Sequence, residues 1–395
     1  MTNVNQVDKS CLQFTLPNLG NTCYLNTGLQ CILNSSIFIE YLTISDFPED
    51  SIFYHLQQTV HSIVNHSTQV KEVSLNFFSC NRETTPNQSY WNPHRQMVKY
   101  LGTKLQKHIN IYRQNDLQEF LNLIIDHSNQ ELANSPKHNN VSSICEYKYN
   151  NIATTTTTTK PNQNSSFYRL QKKCDNAWNK HFKNEYSPIV PLFYSLLISQ
   201  ISCGCGKIHH NYEFFNSLQI DIVSEISEDD TMLTTCIDEF MKPFKLNQNN
   251  NDHNLGNLDN EIRWKCDVCK QQLESTKNFA FWRLPQILII VLKRFVFDEK
   301  FGQFRKLNTV VDIPDIIDFK KWVLCKESTV LYELRTIGCH YGGLDSGHYY
   351  SLVRKGQNKW VKIDDDDASP QFNRHTESQY KPYFNDAYVC VYQKI

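Results

Sequence analysis

An α+β fold is predicted by the sequence, with helices first and an antiparallel sheet after about residue 190. Two periodicities carry that prediction. Leu25, Leu29, Ile32 and Leu33 recur at i, i+4, i+7 and i+8, which is one face of a helix beginning near Cys23. Asp116, with Glu119 three residues on, reads as the N-cap of a second helix whose apolar face is Leu117, Phe120, Leu121, Ile124 and Ile125. Later the texture changes. The runs FFNSLQIDI, NFAFWRL, QILIIVLKRFVF, LYELRTIGCHY, HYYSLVRK, KWVKID and AYVCVYQ are short, β-branched or aromatic and bounded by turn residues, so they read as strands. Two polar tracts, at about 133–166 and 247–260, offer little to bury and read as flexible insertions in surface loops.

Composition narrows the function. A chain of 395 residues that is 40% apolar can fill a sizeable core. Forty basic residues against 41 acidic ones leave a net charge of -1, which gives no electrostatic footprint for nucleic acid or a membrane. The N-terminal MTNVNQVDKSCLQF lacks the pattern of a signal peptide, and runs such as QILIIVL are too short to span a bilayer. A cytoplasmic or nuclear protein is expected. In that setting the 14 cysteines are expected to be reduced thiols, metal ligands or a nucleophile rather than disulfides.

Cys23 lies in LPNLGNTCYLNTGLQCILN, after a polar turn and at a helix start. The aligned peptide dipoles there favour thiolate, but by only about 0.3 to 1 kcal/mol at an exposed site. On local grounds a structural thiol and a nucleophile are equal alternatives. A base would come from LYELRTIGCHYGGLDSGHYYSLVRKGQNKWVKIDDDDAS, where His348 follows Gly347 at the start of a strand. A hairpin looping near 355–358 would return Asp364 alongside His348, where a carboxylate can orient an imidazole. His340 competes for the base role, although the YGGLDSG after it reads as a loop. Taken singly, an ordinary histidine and a solvated acidic turn are the commoner readings.

The segments NLGNTCYLN, YRQNDLQEFL, LIIVLKRF and YELRTIGCHYGGLDSGHYYSLVR with WVKIDDD resemble, in order, the motif series of the ubiquitin-specific proteases, the papain-like deubiquitinases. The resemblance runs from about Leu12 to the C-terminus. It implies a tail over 1–11 and a single catalytic domain over 12–395, with a papain-like cysteine protease fold of helical thumb, antiparallel-sheet palm and zinc-bearing fingers. It also implies Cys23 as nucleophile, His348 as general base and Asp364 as its orienting acid. Asn18 matches the asparagine that stabilises the oxyanion, and Asp365 stands second to Asp364. Asp116 matches a carboxylate that engages an arginine of the ubiquitin tail, with Gln114 and Tyr349 as further substrate-binding residues. The family's usual Gln-Gln-Asp-Ala is here Gln114, Asn115, Asp116 and Leu117. The small residues Gly342, Gly343, Ser346 and Gly347 would let a narrow peptide tail pass, though turn formation explains them equally well.

The same resemblance places Cys203, Cys205, Cys266 and Cys269 at the family's zinc-knuckle positions. Cys266 and Cys269 have the knuckle spacing, but Cys203 and Cys205 are separated by one residue only, so His209 or His210 competes with Cys203 for the ligand set. A structural zinc held by the four thiolates is expected. Cys31, Cys339 and Cys390 read as small core or near-surface residues. The implied partners are ubiquitin and ubiquitinated proteins, with room for an activating protein partner and with no nucleic acid or membrane. Two other classes compete: a catalytically silent ubiquitin-binding scaffold, and a metal-dependent nucleic-acid module. The intact Cys23, His348 and Asp364 count against the first, and the near-zero charge against the second.

Overall fold

The computed structural model describes residues 14–73, 92–134, 166–223, 231–246, 264–299, 301–324, 330–344 and 346–395. The expected tail over 1–11 and most of both polar tracts lie outside the described residues. Helices α1 (Cys23–Leu33), α2 (Ser36–Ile44), α3 (Ile52–Val73), α4 (Asn92–Lys104) and α5 (Leu117–Ala133) come first in the chain. The expected helix at Cys23 is α1, and α5 starts from its predicted cap, with Asp116 Oδ1 accepting from Gln118 N–H and Glu119 N–H.

α1 is buried at every residue, so it is a central helix rather than an amphipathic surface one. Burial obliges its polar side chains to find partners. Asn26 Nδ2 donates to the carbonyls of Leu16 and Pro17, and Gln30 Nε2 to that of Phe14 (2.8 Å). The segment before Cys23 is thereby strapped onto the helix that Cys23 opens.

Two further helices, Ser166–His181 and Ile189–Phe193, lead into β1 (Ser195–Cys203), β2 (Ile208–Phe215), β3 (Ser217–Asp221) and β4 (Thr231–Met232). After the helix Leu233–Met241 come β5 (Phe244–Leu246), β6 (Ser275–Arg283), β7 (Ile287–Lys293), β8 (Phe295–Asp298), β9 (Gln303–Lys306), β10 (Val311–Asp312) and β11 (Ile316–Asp318). The chain ends with β12 (Leu331–Gly342), β13 (Gly347–Gly356), β14 (Lys359–Asp364), β15 (Asp367–Ala368), β16 (Phe372–Asn373) and β17 (Ala387–Lys394). Each run expected to be extended contributes a strand.

The main sheet has the order β15-β14-β13-β12-β17-β7-β3, with β11 beside β12 and β16 beside β14. It is antiparallel except at one edge, where β3 pairs parallel with β7, so the expected antiparallel sheet is in fact mixed. A second, antiparallel sheet, β2-β1-β6-β5, projects the four candidate zinc ligands at one end.

QILIIVL reads as an unbroken apolar run because both faces of its strand are covered. Ile287, Ile289 and Val291 of β7 join Val389 and Val391 of β17 in a core shared with α1 to α5. Leu288, Ile290 and Leu292 join Cys390 and Tyr392 in a second core with the helix Leu233–Met241. The sheet therefore separates two cores. Cys31, Cys339 and Cys390 are all fully buried in them, as small core residues should be.

Candidate active site

The turn before Cys23 is built around one side chain. Asn18 Oδ1 accepts from Gly20 N–H (3.0 Å), Thr22 N–H (3.2 Å) and the Thr22 hydroxyl (3.2 Å). Gly20 has φ 101°, a conformation that an L side chain resists, which explains a glycine there. Thr22 provides no side-chain cap to α1, whose first N–H groups have no partner within the helix.

Across from the turn, the hairpin of β13 and β14 folds as its residues predict. Ser351 pairs with Ile363, so Asp364 sits diagonally from His348 on the same face. His348 Nε2 and Asp364 Oδ1 are 2.5 Å apart, and Lys362 Nζ holds the other carboxylate oxygen at 2.8 Å. The bond to Asp364, then a bond to Cys23, raise the pKa of His348 to about 10 against the cost of its burial. Burial alone would raise the Asp364 carboxyl, but the bonds from His348 and Lys362 outweigh it and hold the pKa below the usual range. The imidazole is bonded to the carboxylate and has the Cys23 thiol beside it.

Asp365 lies beside His348 and Asp364, with a carboxylate oxygen within 4.8 Å of both, but its hydrogen bonds go to the turn. Its carboxylate accepts from Asn18 Nδ2 (2.9 Å) and Asn26 Nδ2 (2.8 Å), its carbonyl accepts from Leu16 N–H (2.9 Å), and its φ is 53°. It latches the turn before Cys23 to the end of β14. Of the four aspartates at 364–367, the first two are half-buried and the last two exposed, so only half of the acidic run is a solvated turn.

A cleft of about 260 Å³ leads to Cys23, lined among others by Gln114, Asp116, Phe295, His340, Gly347 and Tyr349. Asp116 is already occupied. Besides the two α5 amides, its Oδ2 accepts from the hydroxyls of Tyr388 (2.8 Å) and Tyr349 (3.4 Å), four donors for the roughly four lone-pair sites of a carboxylate. Tyr349 thus meets Asp116 from within the protein, and an incoming arginine would have to displace it. His340, the competing base, lies in β12 opposite Tyr349, and burial lowers its pKa to about 4. The loop expected right after it begins later, because β12 continues to Gly342 before turning. Gly347 is required by packing: a Cβ there would lie 2.1 Å from His340 Nε2.

Lys362 was open to sequence reasoning and missed, since it precedes Asp364 by two residues and shares its face of β14. Tyr388 carried no local signal. It reaches Asp116 only through the pairing of β17 with its neighbours.

At the end of the second sheet the sulfurs of Cys203, Cys205, Cys266 and Cys269 all lie within 4.8 Å of one another. Cys203 and Cys269 are 3.9 Å apart, as are Cys205 and Cys266. Tetrahedral zinc with bonds of about 2.3 Å separates its sulfurs by about 3.8 Å, so the set fits that ion. The one-residue spacing is accommodated by the turn after it, where Gly206, at φ 81°, donates its N–H to Cys203 O (2.8 Å). Cys203 stays within the set, and His209 Nε2 instead contacts Cys266 Sγ from outside at 3.2 Å.

The class follows from these parts. A helical layer against a sheet, with a thiol opening the central helix and an imidazole and carboxylate on facing strands, is the architecture of the papain-like cysteine proteases. Within that class the chain belongs to the ubiquitin carboxyl-terminal hydrolase family, whose profile matches residues 14–392. It is 24% identical over 409 residues to ubiquitin carboxyl-terminal hydrolase 4 of Saccharomyces cerevisiae, covering 96% of this chain and 39% of that protein. The human ubiquitin carboxyl-terminal hydrolase 2 is 25% identical, with 96% of this chain and 54% of the relative aligned. A probable ubiquitin carboxyl-terminal hydrolase of Acanthamoeba polyphaga mimivirus is 22% identical over 95% of this chain and 88% of its own length. The chain thus spans about two-fifths of the length of the yeast relatives it matches. Among solved structures, the SAGA DUB module of Ubp8, Sgf11, Sus1 and Sgf73 bound to monoubiquitin shares the fold, with a TM-score of 0.64 at 20% identity over 98% of this chain and 70% of that one. A form of that module bound to ubiquitin aldehyde matches at the same TM-score of 0.64, with 71% of its chain covered. Among the described residues no helix is long and apolar enough to cross a membrane.

Proposed function

We propose that the protein is a thiol-dependent deubiquitinase that hydrolyses the peptide or isopeptide bond after the C-terminal glycine of ubiquitin. The observation that carries this reading is the bonded pair of His348 and Asp364 beside the Cys23 thiol, which lines a narrow cleft with Gly347 in its wall. A substrate ending in two glycines suits such a passage. Family membership supports the same substrate, and so do the neighbours of like fold bound to monoubiquitin and to ubiquitin aldehyde.

In the reaction, His348 is the imidazolium partner of a Cys23 thiolate, held so by Asp364. The thiolate attacks the glycine carbonyl carbon. The oxygen takes up negative charge beside the uncapped N-terminus of α1, where Cys23 N–H and the second N–H of the Asn18 amide can donate to it. His348 passes its proton to the departing amine, leaving a thioester on Cys23. The now neutral His348 takes a proton from water as that water attacks the thioester, and the collapsing intermediate frees the thiolate and the glycine carboxylic acid, which gives its proton to solvent. Asp365 keeps Asn18 in place.

Zinc, bound by the four cysteines, would be structural, since a closed four-thiolate site has no open position for substrate. We assign residues 12–395 to one catalytic domain, working in the cytoplasm or nucleus on ubiquitinated proteins. A ubiquitin probe carrying a C-terminal electrophile tests the reading. It should label the wild-type protein and leave Cys23→Ala unlabelled. No labelling of the wild type rejects the activity, and labelling of the variant moves the nucleophile elsewhere.

A further inference from the structure

β17 begins at Ala387, and its last pairing with β12 is that of Ala387 with Cys339. One more bond, His340 N–H to Asp386 O at 2.9 Å, continues the ladder. The other side of β12 stays paired with β13 as far as Gly342 with Gly347. Alternate residues of a strand direct their carbonyls to the same side, so His340 and Gly342 present theirs to the edge that β17 has vacated. Lys306, the last residue of β9, covers that edge. Its Nζ donates to His340 O at 2.6 Å and to Gly342 O at 3.0 Å. A compact ammonium with three donors on a four-carbon stem can satisfy two carbonyls two residues apart, which a neutral apolar side chain cannot.

The bridged segment is a wall of the cleft. His340, Leu344 and Gly347 line it from the β12–β13 turn, and Phe295 lines it from the base of the β8–β9 hairpin that carries Lys306. Phe295 also packs edge-on against the His340 ring, with centroids 5.2 Å apart. Gly342, at φ 98°, is the pivot of the turn, which closes with Gly343 N–H donating to Ser346 O at 2.9 Å. Lys306 thus ties the hairpin to the pivot. We propose that Lys306 is a positioning residue that fixes this wall and sets the width of the passage for the substrate tail. The inference rests on the hydrolase reading and concerns binding of the tail, not the chemistry at the thiol.

Lys306→Met keeps the stem and removes the donors, and Lys306→Arg restores donors. Steady-state kinetics on ubiquitin carrying a fluorogenic C-terminal amide should show KM raised roughly tenfold in Lys306→Met, with kcat within about twofold of the wild type. Alkylation of Cys23 by iodoacetamide should proceed at the wild-type rate in both variants, and Lys306→Arg should recover most of the KM. A Lys306→Met protein with wild-type KM overturns the proposal, as does a loss confined to kcat and alkylation. If Lys306→Met does not fold, Lys306→Leu, which also removes the donors with a shorter apolar stem, is measured instead and must show a raised KM. Turnover by the wild type reports separately on the hydrolase reading: an inert wild type rejects that reading, whereas an active wild type matched by the variant rejects only the role of Lys306.

Discussion

Asp364 and Asp365 are neighbours in sequence and opposites in environment. Asp364 is held low by His348 and Lys362, while burial raises Asp365 despite the bonds from Asn26 and Asn18. One carboxylate supports a cation and the other a turn, a division of labour that DDDD does not disclose. The raised pKa of His348 has a consequence for stability. A group that holds its proton more tightly when folded stabilises the fold fully below its unfolded pKa, and that contribution is lost as the pH climbs through the folded value. For His348 the window runs from about 6.5 to about 10. Melting temperature should therefore fall across that window in the wild-type protein, and Asp364→Asn, which removes the leading cause of the shift, should flatten the fall. A variant with the wild-type slope would show that the pair does not hold the proton. The nearness of His348 to Asp364 was legible because strand periodicity and one hairpin fix their relation, but only the family resemblance singled the two out from an ordinary histidine and a solvated acidic turn. Asp116 was legible as a cap but not as the acceptor of two tyrosine hydroxyls, because Tyr349 and Tyr388 come from strands whose neighbours no local pattern names.

At the scale of elements, α1, α5 and β12 meet where side chains are missing. Leu117 stands where the family usually has alanine, and it is fully buried at the start of α5. Glycines make its room. A Cβ on Gly338 of β12 would lie 2.6 Å from Leu117 Cδ2 and 3.3 Å from Cys31 Sγ, and one on Gly28 of α1 would lie 2.7 Å from the Phe120 ring and 3.4 Å from Leu117 Cδ1. Leu117→Ala should cost about 2 to 5 kcal/mol in denaturant unfolding through the cavity it leaves. Gly338→Ala should cost about 1 to 3 kcal/mol through overpacking. The double variant should be less destabilised than the sum, because each change relieves the other's defect. Simple additivity within about 0.5 kcal/mol would mean that the two sites do not share this space. The helix starts and the strand runs could be read from periodicity, since each depends on its own residues. The parallel pairing of β3 with β7 could not, because it depends on which edge a strand reaches after the rest has assembled.

The whole molecule sets two large cores on either side of one sheet, and the second sheet depends on neither at its far end. A small cluster of Trp178, Phe182, Leu196, Ile198 and Trp282 packs the base of that sheet with the helix Ser166–His181. Its tip has little to bury: Ile208 is 55% and Val268 57% exposed beside the four cysteines. Without a hydrophobic core, a segment of this kind needs another source of stability, and the proposed zinc would supply it by making binding free energy into folding free energy. The knuckle spacing of Cys266 and Cys269 pointed to a metal site in the sequence, whereas the placing of Cys203 rather than a histidine among the four clustered side chains shows only in the fold. Purified protein should carry one zinc, and its removal by a chelator should open the tip to proteolysis near 203–210 and 264–271. The main melting transition should move far less, since the two cores flanking the large sheet contain none of the four sulfurs. Alkylation of Cys23 should keep its rate, because its partners come from α1, β13 and β14 and not from the second sheet. Protein purified without metal and with a protected tip would remove the zinc assignment, and a chelated protein that lost Cys23 reactivity with the tip would show that the two ends of the molecule unfold together.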